Sequence, residues 1–348
     1  MKLGLAIGGS PRDVAEQARL AEAAGLESVW VTELEHSAFV QAAAAIAATS
    51  TIRVGTGVAL AFPRSPTITA MEAADLDGLS GGRFLLGLGS QVRRVLEARF
   101  SVPYASPAAR LAEYAAAVRT VWAARRGEPA RHEGTFYRVD MPTFHGEPDP
   151  TLRDVPMLFA AVGTAMARAA GRTADGVLGH PVASPRYLGE VVEPAVASGL
   201  ADAARTPDGC PISATAIVSI DPDRELARRR AKLQVAFYAT TPNYRAILEL
   251  HHRPDLGRAL RRAFVRRDHG AMADLVDDDL LDAIAIAGRP DELADRLDGW
   301  ETVPTLERVV LAPPWYGVPE ASAGEAVRTI IAAVGRRGRA GVDGDESG

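Results

Sequence analysis

The chain has 348 residues, of which 47% are hydrophobic and 24% charged, and its formal net charge is −5. This composition predicts a soluble globular protein with a large core, and the negative charge gives no sign of a nucleic-acid-binding surface. No segment approaches the roughly 20 apolar residues of a membrane span. The apolar N-terminus is too short for a signal peptide, so we expect a cytoplasmic protein. The single cysteine, Cys210, excludes an internal disulfide and a thiolate metal cluster.

Apolar runs alternate with helix-like segments along most of the chain. The first predicted strand, residues 2–7, is followed by a helix that Pro11 opens and Gly25 ends. Further strands are predicted at 28–32, 52–61, 83–89, 157–162, 176–178, 212–220 and 308–312. This alternation predicts a (β/α)8 TIM barrel, of class α/β. A doubly wound open sheet is the alternative, but the first strand ends in G-G-S-P instead of the phosphate-binding G-x-G-x-x-G.

Two long segments interrupt this alternation. Residues 127–155 form an excursion with a short hairpin at 132–139 and Pro/Gly-rich irregular chain at 142–154. Residues 223–282 are too long and too helical for one crossover, and they predict an inserted helical subdomain. A tight turn at 283–288 then opens a capped helix. We expect one barrel domain over 1–334 and a disordered Gly/Arg/Asp-rich tail over 335–348.

The active site of such a barrel lies at the carboxyl ends of its strands. In this chain the first of these ends is small and uncharged, and so are parts of the third, fifth and sixth. A few polar residues stand among them: His36, Arg64, Gln91, Arg93 and His180. An open, mostly neutral floor of this kind suits a broad planar cofactor. We expect no metal site, because no two of the seven histidines share the H-x-H spacing of metal-dependent barrel hydrolases.

Several motifs resemble the luciferase-like monooxygenase superfamily, and more closely its branch that uses the deazaflavin coenzyme F420. The most specific block is S-G-G-R-F-L-L-G-L-G-S-Q-V-R at 80–93. The block A-F-Y-A-T-T-P-N-Y at 236–244 is similar to an actinobacterial subgroup. Further matches, in family order, are G-T-G-V, P-R-S-P, A-V-G-T-A-M, A-D-G-V and A-I-A-G-R-P-D-E-L. The resemblance implies an eight-stranded barrel, usually a homodimer, with the isoalloxazine-type ring at the barrel mouth.

The resemblance also implies where the cofactor lies. Gly57 and Val58 match a bulge, often with a non-proline cis peptide, that backs the central ring. The loop Val162, Gly163 and Thr164 precedes a helix, and its free N–H groups suit a phosphate. Family members use this loop and the end of strand six for the cofactor phosphate, which in this chain implies Gly176 and Val177. An ordinary strand glycine and an ordinary strand-to-helix turn are the alternatives.

The residues that carry the chemistry are implied in the same way. His36 matches a proton relay beside the ring, with Glu33 as its orienter, although the run here is E-L-E-H where the commoner motif has the two residues adjacent. His180 faces the substrate. Ser90 and Gln91 end strand four, where Gln91 meets the ring edge or the substrate. Two arginines, Arg64 and Arg93, are candidates for the phosphate or the oligoglutamate tail.

Each candidate has a simpler interpretation: a solvated histidine, a surface arginine or, for Phe237, Tyr238 and Tyr244, packing instead of a lid. Taken together, they predict an F420-dependent oxidoreductase that moves hydride between the deazaflavin and a small organic substrate. An FMN-dependent monooxygenase is one alternative, and a cofactor-binding barrel without catalysis is another. The substrate and the direction of transfer stay open, because the variable loops determine them.

Overall fold

The computed structural model describes residues 1–141 and 147–343. Its strands are β1 (Lys2–Ile7), β2 (Ser28–Val31), β3 (Arg53–Thr56), β4 (Ala59–Leu60), β5 (Phe84–Gly89), β6 (Ala130–Glu133), β7 (Arg138–Met141), β8 (Met157–Ala161), β9 (Gly176–Gly179), β10 (Ile212–Ile220), β11 (Ala285–Gly288) and β12 (Leu306–Ala312). The parallel order β10-β12-β1-β2-β3-β5-β8-β9 closes on itself through a β9–β10 pairing. The predicted (β/α)8 barrel is therefore confirmed, and the open sheet is excluded.

Helices surround this barrel. They are α1 (Pro11–Ala23), α2 (Ala38–Ala47), α3 (Pro66–Ser80), α4 (Arg93–Phe100), α5 (Pro107–Arg125), α6 (Thr164–Thr173), α7 (Pro185–Tyr187), α8 (Glu193–Asp202), α9 (Arg224–Ala239), α10 (Arg245–Leu250), α11 (Leu256–Val265), α12 (His269–Asp274), α13 (Asp278–Ile284), α14 (Leu293–Asp298) and α15 (Glu320–Asp343). A π-helical turn, Leu188–Val192, joins α7 to α8. Among the described residues, no helix combines the length and the apolar character that crossing a bilayer requires.

Local sequence explains where the first helix begins and ends. Ser10 caps α1 with a capping box to Asp13, and Pro11 stands in the first turn. Gly25 follows the helix with φ +79°, a backbone angle that residues other than glycine rarely adopt. Both ends predicted for this helix are confirmed.

Two interruptions of the alternation have the expected form, and a third feature differs. The hairpin is present as β6 and β7, and α9 to α13 fill the chain between β10 and β11. The turn predicted at 283–288 is wrong: Ala285–Gly288 is a strand that pairs in parallel with residues Ile217–Ile220 of β10. The last helix runs to Asp343, past the start of the expected tail. Residues 142–146 and 344–348 lie outside the described residues.

Trp30 fills the barrel interior. Its indole N–H donates to Ser28 Oγ at 3.0 Å, and the ring occupies space that two glycines leave free. A Cβ at Gly55 would lie 2.5 Å from Trp30 Cε3, and one at Gly4 would lie 3.0 Å from its Nε1. Around the ring pack the inward side chains of four other strands: Leu85, Leu158, Leu178 and Val310. The lower barrel is therefore a packed core and not a channel.

The amino end of the barrel is closed by a buried ion pair. Arg308, with its side chain 1% exposed, donates to both oxygens of Glu27 at 2.7 and 2.9 Å and to Ser213 Oγ at 2.9 Å. Its guanidinium also lies 5.7 Å from the Trp30 ring. Burial opposes the charge on Glu27, but Arg308 outweighs it and holds the pKa of Glu27 below its ordinary value.

The S-G-G-R motif serves this same end of the molecule. Gly81 and Gly82 follow α3 with φ +62° and +88°, so they turn the chain into β5. Arg83 then donates to the carbonyl of Ile52 at 2.6 Å and to that of Thr49 at 3.1 Å. These bonds tie β5 to the loop before β3, so the S-G-G-R part of the block at 80–93 stabilises the amino end of the barrel.

Candidate active site

The carboxyl end of the barrel is an open depression. On or just after five of the barrel strands, the inward positions above the Trp30 layer are small, and they are partly exposed although the strands around them are buried: Ala6, Gly8, Thr32, Gly57, Ala160 and Ala312. Ala6 and Val58 pack on the Trp30 layer from above and form its upper surface. Because no large side chain rises from these positions, a flat ring can approach the backbone there.

The third barrel strand is broken at this floor. The Gly57–Val58 peptide is cis, which separates β3 from β4. Two glycines of β5 allow the broken strand to approach closely: a Cβ at Gly87 would overlap the carbonyl oxygen of Thr56, and one at Gly89 would lie 2.5 Å from Val58 Cγ2. The predicted bulge and its cis peptide are thus present, and the L-G-L-G sequence of β5 accommodates them.

The loop after β8 borders the same opening. Gly163 is exposed and caps α6, which begins at Thr164. A Cβ placed on Gly163 would meet nothing within 4 Å, and the same holds for Gly8 across the barrel. Tyr187 holds the loop in place by donating to the carbonyl of Val162 at 3.1 Å. Gly163, Thr164 and Ala165 are exposed, so the start of α6 is accessible to an anion.

Two residues proposed for the phosphate lie elsewhere. Gly176 begins β9, where a Cβ would lie 3.2 Å from the carbonyl oxygen of Pro211, and Val177 is fully buried in the outer core. These two residues stand at the start of their strand, so the structure does not bring them to the loop after β8. The carboxyl end of β9 carries Gly179, followed by His180.

Glu33 is paired with Arg64 and not with His36. Its two carboxylate oxygens accept from the Arg64 guanidinium at 2.7 and 2.5 Å, and one of them also accepts from the N–H of Leu60 at 2.7 Å. Arg64 also lies 3.6 Å from Glu72 and over the ring of Phe39. This half-buried cluster joins the ends of the second and third strands. The roles expected for Glu33 as an orienter and for Arg64 as a tail ligand are therefore not supported.

The remaining rim residues are more exposed. His36 stands on the loop before α2 with its side chain in solvent. Its backbone carbonyl accepts from Gln41, and its imidazole contributes, after the hydrogen bonds from Ser10, to lowering the pKa of Asp13. Ser90 and Gln91 end the fourth barrel strand, as predicted. Gln91 has φ +58°, and its amide oxygen accepts from the N–H of Val92 at 2.9 Å. Such a conformation is uncommon for a residue other than glycine.

Arg93 begins α4 and its side chain lies in solvent. Its side chain is 65% exposed, donates to Glu97 at 3.1 Å and lies 4.9 Å from the ring of Tyr104. An exposed pair of this kind contributes little to stability. Arg93 can therefore exchange Glu97 for another carboxylate at low cost.

His180 stands above Leu178 on the inward face, and its ring is held on both sides. The N–H of Val182 donates to Nδ1 at 3.2 Å, and Nε2 lies 2.7 Å from the hydroxyl of Tyr244. The Tyr244 ring also packs against the imidazole, tilted by 33° with ring centres 4.3 Å apart, and Tyr238 meets it edge-on at 4.7 Å. Burial lowers the pKa of His180 to about 3, so its ring is neutral at physiological pH.

Aromatic rings from the insert wall this half of the opening. Phe237 stacks on Tyr316 with centres 4.3 Å apart and meets Trp315 edge-on at 5.0 Å. The Gln234 amide oxygen accepts from the N–H groups of Trp315 and Tyr316 at 2.9 and 2.8 Å. Helix α9 is thereby tied to the loop after β12. Helical spacing alone could not reveal these contacts, because they join segments about 80 residues apart.

The chain is thus a (β/α)8 barrel with an open depression at the carboxyl ends of its strands, the end at which barrels of this fold hold their active sites. The chain belongs to the luciferase-like monooxygenase family, whose model matches residues 3–305. The resemblance found in the sequence is confirmed.

Individual relatives resemble most of the chain. An uncharacterized protein of Mycobacterium tuberculosis is 41% identical over 293 residues, covering 80% of this chain and 86% of the relative. A putative coenzyme F420-dependent oxidoreductase of the same organism is 31% identical over 341 residues, covering 90% and 95%. The solved F420-dependent tetrahydromethanopterin reductase of Methanopyrus kandleri superposes with a TM-score of 0.79 at 24% identity, covering 95% of this chain and 97% of that structure.

Proposed function

We propose that this protein is a coenzyme F420-dependent oxidoreductase that transfers hydride between the deazaflavin and a small organic substrate. The observation that carries the proposal is the open floor around the cis Gly57–Val58 peptide, with space above Gly8 and Gly163 that no side chain fills. The likeness to the putative F420-dependent oxidoreductase of M. tuberculosis supports the choice of cofactor. A flat tricyclic ring with a phosphate-bearing side chain has the shape that such a floor and loop accommodate.

The residues present fit this group. Gly57 and Val58 would support the ring from below, and Gly163 and Thr164 would bind the phosphate through backbone N–H groups. The Gln91 side-chain amide would meet the ring edge. Of the two arginines considered for the acidic tail, Arg93 is the accessible one, because Glu33 occupies Arg64.

When bound, the deazaflavin supplies a carbon that accepts or releases hydride. The protein supplies the rest: the floor positions the ring, the aromatic wall excludes water, and a side chain manages the proton. His36 stands on the strand-two loop with a solvent-accessible imidazole, so it can exchange protons with water. It performs this role without Glu33, whose carboxylate is bound to Arg64.

Calorimetric titration of the purified protein with F420 and, separately, with FMN tests the proposal. We expect micromolar or tighter binding of F420 and weak binding of FMN. A preference for FMN would favour an oxygen-using monooxygenase. Binding of neither would contradict both cofactor assignments, and F420 binding without turnover of any candidate substrate would favour a non-catalytic barrel.

A matched pair of variants locates the binding site. Gly163→Ser keeps a residue that caps helices well but adds a side chain in the open space, so F420 should bind at least about tenfold more weakly. Gly299→Ser adds the same side chain at an exposed glycine away from the mouth, where a Cβ also meets nothing within 4 Å. It should bind F420 as the wild type does. Equal affinities of the two variants would place the cofactor elsewhere.

We further propose that two copies form a homodimer through α2 and α3. Ile68, Met71 and Leu79 follow helical spacing on α3 and are 48%, 40% and 60% exposed, and Val40 on the adjacent α2 is 56% exposed. An apolar surface of this kind is typical of an interface, and the resemblance implies a dimer. Light scattering of the wild type should give twice the mass of one chain. The Ile68→Asp variant should have the mass of a single chain. A wild-type mass of a single chain would contradict this proposal.

A further inference from the structure

The hydrogen positions in the His180–Tyr244 pair follow from its contacts. The N–H of Val182 donates to His180 Nδ1, so Nδ1 carries no proton. A neutral imidazole must then hold its proton on Nε2. The 2.7 Å contact between Nε2 and Tyr244 Oη is therefore a bond that the histidine donates and the tyrosine accepts.

This arrangement leaves the hydroxyl hydrogen of Tyr244 free. Its oxygen accepts from His180, and no second partner for it occurs among the described contacts. Tyr244 is only 8% exposed, so bulk water reaches it poorly. A buried O–H without an acceptor loses free energy unless a ligand supplies one.

In the part of the chain that the structure describes, the side-chain hydrogen bonds and ring contacts of His180 and Tyr244 are with uncharged groups: Val182, Tyr238 and each other. Burial lowers the pKa of His180. Burial and, after it, the neighbouring Tyr238 raise the pKa of Tyr244, so neither pKa shift comes from a permanently charged side chain. The adjoining walls are aromatic: Tyr238, Phe237 and Trp315. A phosphate or carboxylate would lack a counter-charge here, whereas a neutral apolar body with one acceptor oxygen would be satisfied.

We infer that Tyr244 Oη donates a hydrogen bond to the oxygen of a neutral carbonyl or alcohol substrate, and that His180 is the positioning residue that aims this hydroxyl. Substrate class thus deepens the proposed function and rests on it. In the carbonyl direction the bond draws electron density toward oxygen and makes the carbon a better hydride acceptor. In this arrangement His180 acts through Tyr244, whereas the sequence alone predicts that it faces the substrate itself.

Ligand pairs that differ in one oxygen test this inference on F420-loaded protein. Cyclohexanone and methylenecyclohexane have nearly the same shape, but only the ketone accepts a hydrogen bond. We expect wild type to prefer the ketone by about five- to tenfold, the effect of one net hydrogen bond. Tyr244→Phe should abolish this preference while binding F420 within about twofold of the wild type. Tyr137→Phe is the matched control. It removes the hydroxyl of a hairpin tyrosine that accepts from Arg110 of α5, and it should retain the preference for the ketone.

Persistence of the preference in Tyr244→Phe, or no preference in the wild type, would overturn the inference. Failure of F420 to bind would contradict the proposed function instead. In that case the ketone preference is measured on the protein alone, which keeps the two failures distinguishable.

The positioning role of His180 has its own readout. Long-range ¹H–¹⁵N spectra should show the His180 proton on Nε2, with Nδ1 as an acceptor, between pH 5 and 8. His180→Phe keeps the ring packing but loses the donor, so the ketone preference should disappear. His180→Gln offers an amide donor to Tyr244 and an acceptor to Val182, and it should restore part of the preference. A proton on Nδ1, or wild-type preference in His180→Phe, would contradict the role.

Discussion

At its amino end the barrel is filled and bonded, whereas at its carboxyl end it is open. Arg308 closes the amino end with 1% of its side chain exposed, and Trp30 fills the layer above it. Beyond that layer the inward positions shrink to Gly8, Gly57 and Ala160. Both ends use glycine, but for opposite reasons: Gly55 makes room for a side chain of the protein, while Gly8 leaves room that the protein does not use.

This contrast separates residues that hold the fold from residues that bind. Changes at the amino end should lower the free energy of unfolding and leave ligand affinity alone. Changes at the mouth should weaken ligand binding and leave the free energy of unfolding nearly unchanged. The same substitution, Gly→Ala, can therefore be made at Gly55 and at Gly8 to test whether the two ends differ in this way.

Arg308→Met should produce the largest effect. It removes the guanidinium and leaves the partly buried Glu27 carboxylate without its main partner, which costs about 3–5 kcal/mol of unfolding free energy. Urea denaturation measures this loss. Adding Glu27→Met should recover part of it, since the orphaned charge is then gone. A loss below about 1 kcal/mol would show that the pair does not hold this end.

Gly55→Ala should be the next most damaging. Its Cβ would lie 2.5 Å from Trp30 Cε3, so the indole must shift within a packed core, at a cost of about 1–3 kcal/mol. Denaturation measures the cost, and tryptophan emission reports the shift. Combining it with Trp30→Phe should lessen the damage, and a fully additive double variant would contradict this explanation.

Lowering the pH should destabilise the protein through His180. Its pKa is about 3 in the fold, against an ordinary value of 6.5, so between these values the unfolded chain binds the extra proton. Stability from this site is complete above pH 6.5 and falls as pH drops through the window, by at most about 2 kcal/mol between pH 7.5 and 5. His180→Gln, which cannot titrate, should lose less over the same range. Equal losses in both proteins would contradict the neutral ring.

Gly8→Ala should have the smallest effect on stability and a clear effect on binding. The added methyl meets no atom within 4 Å, so the free energy of unfolding should stay within about 0.5 kcal/mol of the wild type. The methyl enters the space assigned to the ring, and F420 affinity should fall about tenfold. Loss of stability comparable with Gly55→Ala would erase the distinction between the two ends.

The fold could be predicted because its strands are apolar runs between strong helix boundaries. Residues 2–7 and 212–220 were predicted with the observed limits. Strand β11 could not be, since four residues before R-P-D-E-L resemble a turn and gain strand character only by pairing with β10. Helix α4 follows directly on the predicted strand end and has no capping side chain to announce it.

The site could be predicted less completely. Its glycines were recognisable because they occur in motifs, and the cis peptide was found where expected. Gly176 and Val177 were misplaced because a motif gives order along the chain, not height in the barrel. The Glu33–Arg64 and His180–Tyr244 pairs join residues 31 and 64 positions apart. Such pairs depend on side-chain geometry in the assembled barrel, for which no local pattern exists.

Strand β11 has a consequence for how this barrel can be altered. The helical insert leaves from the top of β10 after Ile220 and returns at Ala285, which pairs with Ile217 of the same strand. Both junctions of the insert are thus fixed on neighbouring strands, whatever the length of chain between them. The segment can be exchanged for another of different size without moving the register of the barrel. A different segment grafted between Ile220 and Ala285 would keep the floor of the barrel. It would replace the aromatic wall over that floor and so change which substrates fit.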